Sequence, residues 1–181
     1  VGYAEDSFTP SAFNISGFVR VGENRLVLRV FKRCSGTWLE DQDFWRFTGI
    51  AREVYLYSRP KAHIEDIHIG QDLAENFTTG KLSVNLSTAN AKGKAIKLSL
   101  CDIEGKTVWS QEGILAGEES TYSAELPGIK PWTAETPNLY TLSVTLSDKK
   151  GTIEAVRQRV GFRHIEIKNG VVLINGKRVY F

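Results

Sequence analysis

Apolar and polar side chains alternate along most of this 181-residue chain, and this alternation constrains its fold more than any other feature. Clear examples are Leu82–Leu86, Ala95–Leu100 and Leu139–Leu146. A period of two is typical of strands with one buried face. Since no segment keeps helical periodicity over the roughly 10–12 residues that a helix needs, the sequence predicts an all-β protein.

Short turn sequences separate the predicted strands. Their residues tolerate positive φ angles, and they fall at Gly22–Asn24, Asn90–Gly93, Glu104–Lys106, Asp148–Gly151 and Asn175–Gly176. The last lies between two apolar runs and predicts a two-residue hairpin. The alternation of Ile64–Ile69 is irregular at Glu65-Asp66, which predicts a β-bulge. His63 and His68 are five residues apart, so they should point to opposite faces of this strand. They are therefore unsuited to share a metal ion.

Two breaks in the pattern divide the chain into three parts. Pro60 lies at the first break and Gly161–Arg163 at the second. About seven strands, spaced roughly 8–12 residues apart, lie between them, which predicts an immunoglobulin-like β-sandwich over 60–162. Residues 1–59, with predicted strands at Arg25–Val30 and Glu53–Tyr57, indicate the last strands of a larger β-domain. Residues 163–181 indicate a hairpin that leads into a further domain, so we expect an excised segment of a longer protein.

The composition disfavours several classes of protein. The 23 basic and 21 acidic side chains are interspersed and leave a net charge of +2, whereas a nucleic-acid surface needs clustered Lys and Arg. No segment has the roughly 18 apolar residues that cross a membrane. Cys34 and Cys101 are predicted to be free thiols, and no Cys/His spacing indicates zinc. We therefore expect neither a nucleic-acid nor a membrane partner.

One segment, Trp38–Arg46, combines three carboxylates with two Trp side chains. Aromatic rings stack on sugar C–H faces, and carboxylates accept hydrogen bonds from hydroxyls or bind hard cations. The alternative is structural: the two Trp side chains anchor a core or an interface, and Asp41 caps a turn. Glu40 and Asp43 are poorly suited to be a glycosidase pair, because carboxylates on one short segment cannot easily flank a bond from opposite sides.

Several ordered motifs resemble the β-galactosidases of glycoside hydrolase family 2. In the first third they are Val1–Tyr3, Asp6-Ser7, Pro10, Phe13, Gly22–Leu26, Leu39–Arg46, Gly49-Ile50 and Arg52–Val54; later ones are Pro131–Tyr140, Val160–Arg163 and Asn175–Lys177. The resemblance implies the end of a jelly-roll sugar-binding domain, an immunoglobulin-like domain and the approach to a (β/α)₈ barrel. It implies a retaining exo-glycosidase whose two catalytic Glu lie on that barrel, so no catalytic residue is assigned here.

The resemblance assigns one functional residue to this chain. It implies that Asp43 contacts both the galactose and a bound sodium ion in the parent enzyme, while the magnesium ligands lie on the barrel. The expected partners are a β-galactoside and the other domains of the same chain, in a bacterial cytoplasmic or periplasmic enzyme. Whether the parent is a homo-oligomer is left open. The alternatives are a related β-glucuronidase or β-mannosidase fragment and a stand-alone carbohydrate-binding or adhesion module.

Overall fold

The computed structural model describes residues 1–5, 9–40, 48–50 and 52–180. Two compact units are present, Val1–Tyr57 and Ser58–Phe181. Among the described residues, no helix has the length and apolar character of a membrane span.

All regular strands of the described residues lie in the second unit. In chain order they are β1 (His63–Leu73), β2 (Thr79–Ala89), β3 (Ala95–Cys101), β4 (Thr107–Ile114), β5 (Glu119–Pro127), β6 (Tyr140–Asp148), β7 (Gly151–Val160), β8 (Ile165–Lys168), β9 (Val171–Ile174) and β10 (Lys177–Arg178). Every pairing is antiparallel.

The first seven strands form two sheets, with orders β1-β2-β5 and β4-β3-β6-β7. This confirms the predicted all-β fold and sandwich. The arrangement is immunoglobulin-like, with the fourth strand at the edge of the second sheet beside β3. The remaining strands form a separate sheet of order β8-β9-β10, called here the C-terminal sheet.

The core lies between the two sheets of the sandwich, where alternate residues of each strand meet. Leu86 of β2, Leu98 of β3 and Leu142 of β6 are completely buried. Each such side chain contributes about 1.5–3 kcal/mol through burial. The ring of Phe162, also fully buried, packs edge-on against Tyr140 with centroids 5.5 Å apart. The core therefore extends to the residue at which the chain leaves the last strand.

The predicted bulge in β1 is confirmed. The register shifts between Ile64 and Asp66, so Glu65 is the extra residue. An extra residue reverses the face to which every later side chain of the strand points (its parity). The prediction that His63 and His68 face opposite sides is therefore wrong. His63 pairs with Ala89 and His68 with Asn85, and both histidines lie on the face turned away from the core.

Both turns of the C-terminal sheet have the sequence Asn-Gly. Asn169 and Asn175 have φ angles of 51° and 50°, and each is followed by a glycine at 74°. Positive φ at both central residues defines the type I′ turn, whose twist matches that of the flanking strands. The hairpin predicted at Asn175–Gly176 is confirmed by the pairing of β9 with β10.

The first unit contains one short helix, α1 (Thr37–Glu40). The strands predicted at Arg25–Val30 and Glu53–Tyr57 have no ladder partner among the described residues, and side chains such as Leu28 and Leu56 are exposed. A strand needs a neighbour for its backbone groups, so alternation alone does not create one. Glu40 is the last residue of α1.

Candidate functional site

The predicted sugar-contacting segment lies mostly outside the described residues. This holds for 41–47 and therefore for Asp43, with its neighbours Asp41, Gln42, Phe44, Trp45 and Arg46. The side chains of Trp38 and Glu40 also lie outside the described set. The role of Asp43 towards substrate and sodium thus stays a prediction.

The turn that leads into this segment is closed by local hydrogen bonds. The Cys34 N–H donates to Thr37 Oγ1 at 2.9 Å, and the Thr37 N–H donates to the Cys34 carbonyl at 3.2 Å. The Leu39 N–H donates to the Gly36 carbonyl at 2.9 Å. Cys34 and Cys101 are both free thiols, as predicted.

The N-terminal segment lies beside this turn. The hydroxyls of Tyr3 and Ser35 both donate to the Glu5 carboxylate. The bond from Ser35, followed by that from Tyr3, holds the pKa of Glu5 below its usual value, and the same contact raises the pKa of Tyr3. The ring of Phe13 lies directly against Gly2 and leaves no room for a Cβ there. The N-terminal segment therefore meets Ser35, which is 30 residues further along the chain from Glu5, within the first unit.

A second group of motif residues meets where the chain leaves the sandwich. We call it the exit junction and define it by Gln71, Asp72, Trp132, Arg163, His164 and Asn175. Its residues come from β1, from the Pro131–Tyr140 segment, from the link between β7 and β8, and from the turn between β9 and β10. The three C-terminal motifs that carry the family resemblance are thus brought together by the fold.

The side chain of Asn175 joins three chain segments at this junction. Its Oδ1 accepts from the His164 N–H at 2.9 Å, and its Nδ2 donates to the Trp132 carbonyl at 3.0 Å. Its own N–H donates to the His164 carbonyl at 2.9 Å. The Trp132 N–H in turn donates to the Phe162 carbonyl at 2.8 Å. The amide of Asn175 therefore fixes the turn between β9 and β10 to the end of the sandwich.

Strand β1 supplies a second set of bonds to the same junction. The Arg163 N–H donates to Gln71 Oε1 at 3.2 Å, and His164 Nδ1 lies 2.8 Å from Asp72 Oδ1. Partial burial by itself would raise the pKa of Asp72, but the hydrogen bonds from His164 and from the Leu73 N–H outweigh it, and the pKa is lowered. Asp72 is therefore a carboxylate at neutral pH and binds the imidazole of His164.

Trp132 packs at the centre of the junction. The guanidinium of Arg163 lies 4.8 Å from the centre of its ring, within cation–π range. A Cβ at Gly161 would lie 3.1 Å from the Trp132 ring and from Leu139. This close approach explains why the Val160–Arg163 motif has a glycine at this position, since a larger side chain would push the Trp132 ring away.

The chemistry of the exit junction is structural. A shallow open depression is lined by Gln71, Asp72, Arg163, His164 and Ile165. Within the described ranges, no group of three or more His, Cys, Asp or Glu is placed to hold a metal ion. The hydrogen bonds of the junction join its own residues across the end of the sandwich, so this site fixes the direction of the chain.

Sequence reasoning missed Gln71, Asp72 and His164. The two partners of the Asp72–His164 pair are 92 residues apart, and neither has a local signal. The motifs that contain Trp132, Arg163 and Asn175 indicated a family resemblance. They gave no indication that these three residues lie close together in the fold.

Replacing Asn175 with Gly should destabilise the second unit by about 1–3 kcal/mol, because the His164 N–H and the Trp132 carbonyl lose their partner. Chemical denaturation of the 181-residue chain measures this. Asn169→Gly is the matched control: it changes the other Asn-Gly turn, with the same φ, outside the junction. Equal effects of the two substitutions would contradict the joining role of Asn175.

The Asp72–His164 pair should make stability depend on acid pH. Because the folded-state pKa of Asp72 is lowered, its stabilising contribution is present above the ordinary value of about 3.9 and is lost as pH falls through the folded-state pKa. The difference in unfolding free energy between wild type and Asp72→Asn should therefore shrink below about pH 4. Asp66→Asn, on the same strand and outside the junction, controls for net charge, and a constant difference for Asp72→Asn would refute the prediction.

Comparison with protein families places both units in one family. The model of the family 2 glycosyl hydrolases matches residues 62–163, and the model of the sugar binding domain of the same family matches residues 1–60. The first match covers all seven strands of the sandwich and ends at Arg163 of the exit junction.

Similar proteins and solved structures agree with this match. Proteins named β-galactosidase from Clostridium acetobutylicum and Streptococcus thermophilus are 44% and 43% identical over the whole chain. The chain spans 20% and 18% of their lengths, about one fifth. A β-glucuronidase structure from Bacteroides uniformis is 30% identical with a TM-score of 0.68, over 77% of this chain and 17% of that one. A β-glucuronidase structure from Parabacteroides merdae is 29% identical with a TM-score of 0.60, over 66% of this chain and 16% of that one. The chain belongs to family 2 of the glycosyl hydrolases.

Proposed function

We propose that this chain is a non-catalytic part of a retaining β-galactosidase. It supplies a sugar-binding-domain segment and the β-sandwich that connects this segment to the catalytic part. The observation that carries the proposal is the 44% and 43% identity, over the full chain, to proteins named β-galactosidase. The two catalytic Glu belong to the barrel implied by the family resemblance, and none is assigned here.

The choice of β-galactosides over β-glucuronides rests on sequence similarity and on one segment. The proteins named β-galactosidase are more similar in sequence than the β-glucuronidase structures, which are 29% and 30% identical. The resemblance also ties the Glu40–Asp43 run, with Trp45 and Arg46, to β-galactosidases. A β-glucuronidase is the second candidate, favoured by the solved structures, and a comparison of aryl β-galactoside with aryl β-glucuronide hydrolysis separates the two.

Asp43 is the residue proposed to reach the substrate. A carboxylate accepts strong hydrogen bonds from sugar hydroxyls and is a suitable ligand for a hard cation such as sodium. Sodium would supply a fixed positive charge beside the sugar hydroxyls, and magnesium is assigned to residues of the barrel.

The sandwich is proposed to be the connector between sugar contact and catalysis. A residue that lies outside the catalytic domain can act only if its position is fixed, since a displacement of about 1 Å can cost about 100-fold in rate. The exit junction supports this role, because Asn175 in the β9–β10 turn bonds both Trp132 and His164, and His164 in turn bonds Asp72 of β1.

In the full-length protein, Asp43→Asn should lower kcat/KM for an aryl β-galactoside by about 10- to 100-fold. This corresponds to the loss of a charged hydrogen bond worth about 1.5–3 kcal/mol. The response of activity to sodium should weaken, and thermal stability should be unchanged. Asp41→Asn removes a carboxylate two positions away and serves as the control; equal activity and sodium response in wild type and Asp43→Asn would refute the assignment.

The 181-residue chain alone should not hydrolyse an aryl β-galactoside and should not bind galactosides more tightly than millimolar by calorimetry. The physical reason is that a single proposed contact leaves most of a sugar's surface in water. Hydrolysis above the blank would contradict the absence of catalytic residues. Tighter binding would favour the alternative of a stand-alone carbohydrate-binding module.

A further inference from the structure

The segment through which the chain enters the sandwich is held by a histidine whose two ring nitrogens both face acceptors. His63 Nδ1 lies 2.9 Å from the Pro60 carbonyl, and Nε2 lies 2.7 Å from Glu65 Oε2. The His63 side chain is only 18% exposed. We call residues 58–62, which precede β1, the entry segment.

Further hydrogen bonds connect the entry segment to the start of β1 and to the end of β2. Arg59 Nη1 donates to Glu65 Oε2 at 2.9 Å, and Asn90 Nδ2, at the end of β2, donates to the Lys61 carbonyl at 3.1 Å. Glu65 is the extra residue of the β1 bulge. The bulge therefore places one carboxylate within reach of both His63 and Arg59.

The hydrogen-bond chemistry of the ring determines its charge. A neutral imidazole has one N–H donor, whereas the imidazolium has two. Since a carbonyl and a carboxylate only accept, both bonds of His63 form together only in the protonated ring. Partial burial by itself would lower the pKa of His63, but the bonds to Glu65 and to the backbone outweigh it, and the pKa is raised.

We propose that His63 is a protonation-dependent latch that holds the entry segment against β1. Protonated, it bonds the Pro60 carbonyl and Glu65 at once; deprotonated, it releases one of them. The contacts of the latch lie where the chain passes into the sandwich, and they do not depend on the proposed enzyme activity.

The charged groups around the ring come from three places. Arg59 and Lys61 lie on the entry segment, and Glu65 lies on the bulge. From β7, Glu154 accepts the N–H of Ile64 at 2.7 Å and so holds the residue next to His63. Glu65 is the carboxylate in contact with the ring, and its removal is therefore the sharpest change that leaves His63 in place.

The sign of the pH effect follows from the raised pKa. The contribution of the latch is complete below the ordinary histidine value of about 6.5 and is lost as pH rises through the folded-state pKa. The entry segment should accordingly be ordered on the acid side and more mobile on the basic side of that transition.

The test is an NMR titration of the isotopically labelled 181-residue chain. Ring nitrogen shifts report the protonation of His63, and order parameters of the Lys61 and Ala62 amides report the entry segment. Both should change with one midpoint. Glu65→Gln should move the midpoint to lower pH and lower the order parameters at acid pH, while Asp66→Asn, which removes the same charge one residue away, should leave the midpoint in place.

Two results would overturn the proposal. In the first, His63 titrates while the order parameters of Lys61 and Ala62 stay constant across the transition. In the second, Glu65→Gln and Asp66→Asn shift the midpoint equally, so that net charge and not the contact sets it. Chemical shifts of the core residues Val84 and Leu142 establish that each variant is folded.

Discussion

One extra residue in the first strand of the sandwich, Glu65, decides how that strand is used. Before it, Ile64 faces the core; after it, Ile67, Ile69 and Leu73 do so. Without the bulge, the parity of all later residues would be reversed, and charged Asp66 would replace Ile67 in the core. Burying an unpaired carboxylate costs several kcal/mol, so the register of the whole first sheet depends on this insertion.

The same bulge controls both ends of the strand. At its start, it presents Glu65 to His63 and Arg59. At its end, the corrected parity presents Gln71 and Asp72 to Arg163 and His164. The entry and the exit of the sandwich are thus each held by a histidine and a carboxylate from one strand. These attachments restrain the adjoining segments, because a buried core alone fixes only its own strands.

Much of the fold could be predicted from the sequence. Alternation in β2, β3 and β6 gave the core faces, and the Asn175–Gly176 pair gave its hairpin, because both signals act over a few residues. The strands predicted at Arg25–Val30 and Glu53–Tyr57 have no partner among the described residues, since alternation reports a tendency and pairing requires a second chain segment. The predicted orientation of His68 was wrong because the predicted bulge reverses the faces of all later residues in the strand, and the prediction did not include this reversal.

The candidate site was less accessible to sequence reasoning. Trp132, Arg163 and Asn175 were noticed within their motifs, yet their contact depends on a fold that joins residues 43 positions apart, as for Asn175 and Trp132. Asp72 and His164 have no pattern around them at all. The role of Asp43 was proposed from family resemblance, and Asp43 lies outside the described residues. Kinetic measurements on the full-length protein are therefore needed to test this role.

The continuity between the sandwich and the C-terminal sheet is tested most directly by native-state hydrogen exchange. Amides of β9, the central strand of the C-terminal sheet, should open with the same free energy as those of β6 in the core of the sandwich, because the exit junction joins them into one cooperative unit. If the β9 amides exchanged through a much lower opening free energy while β6 stayed protected, the junction would be a loose contact and the sandwich could not fix the direction of the chain that leaves it.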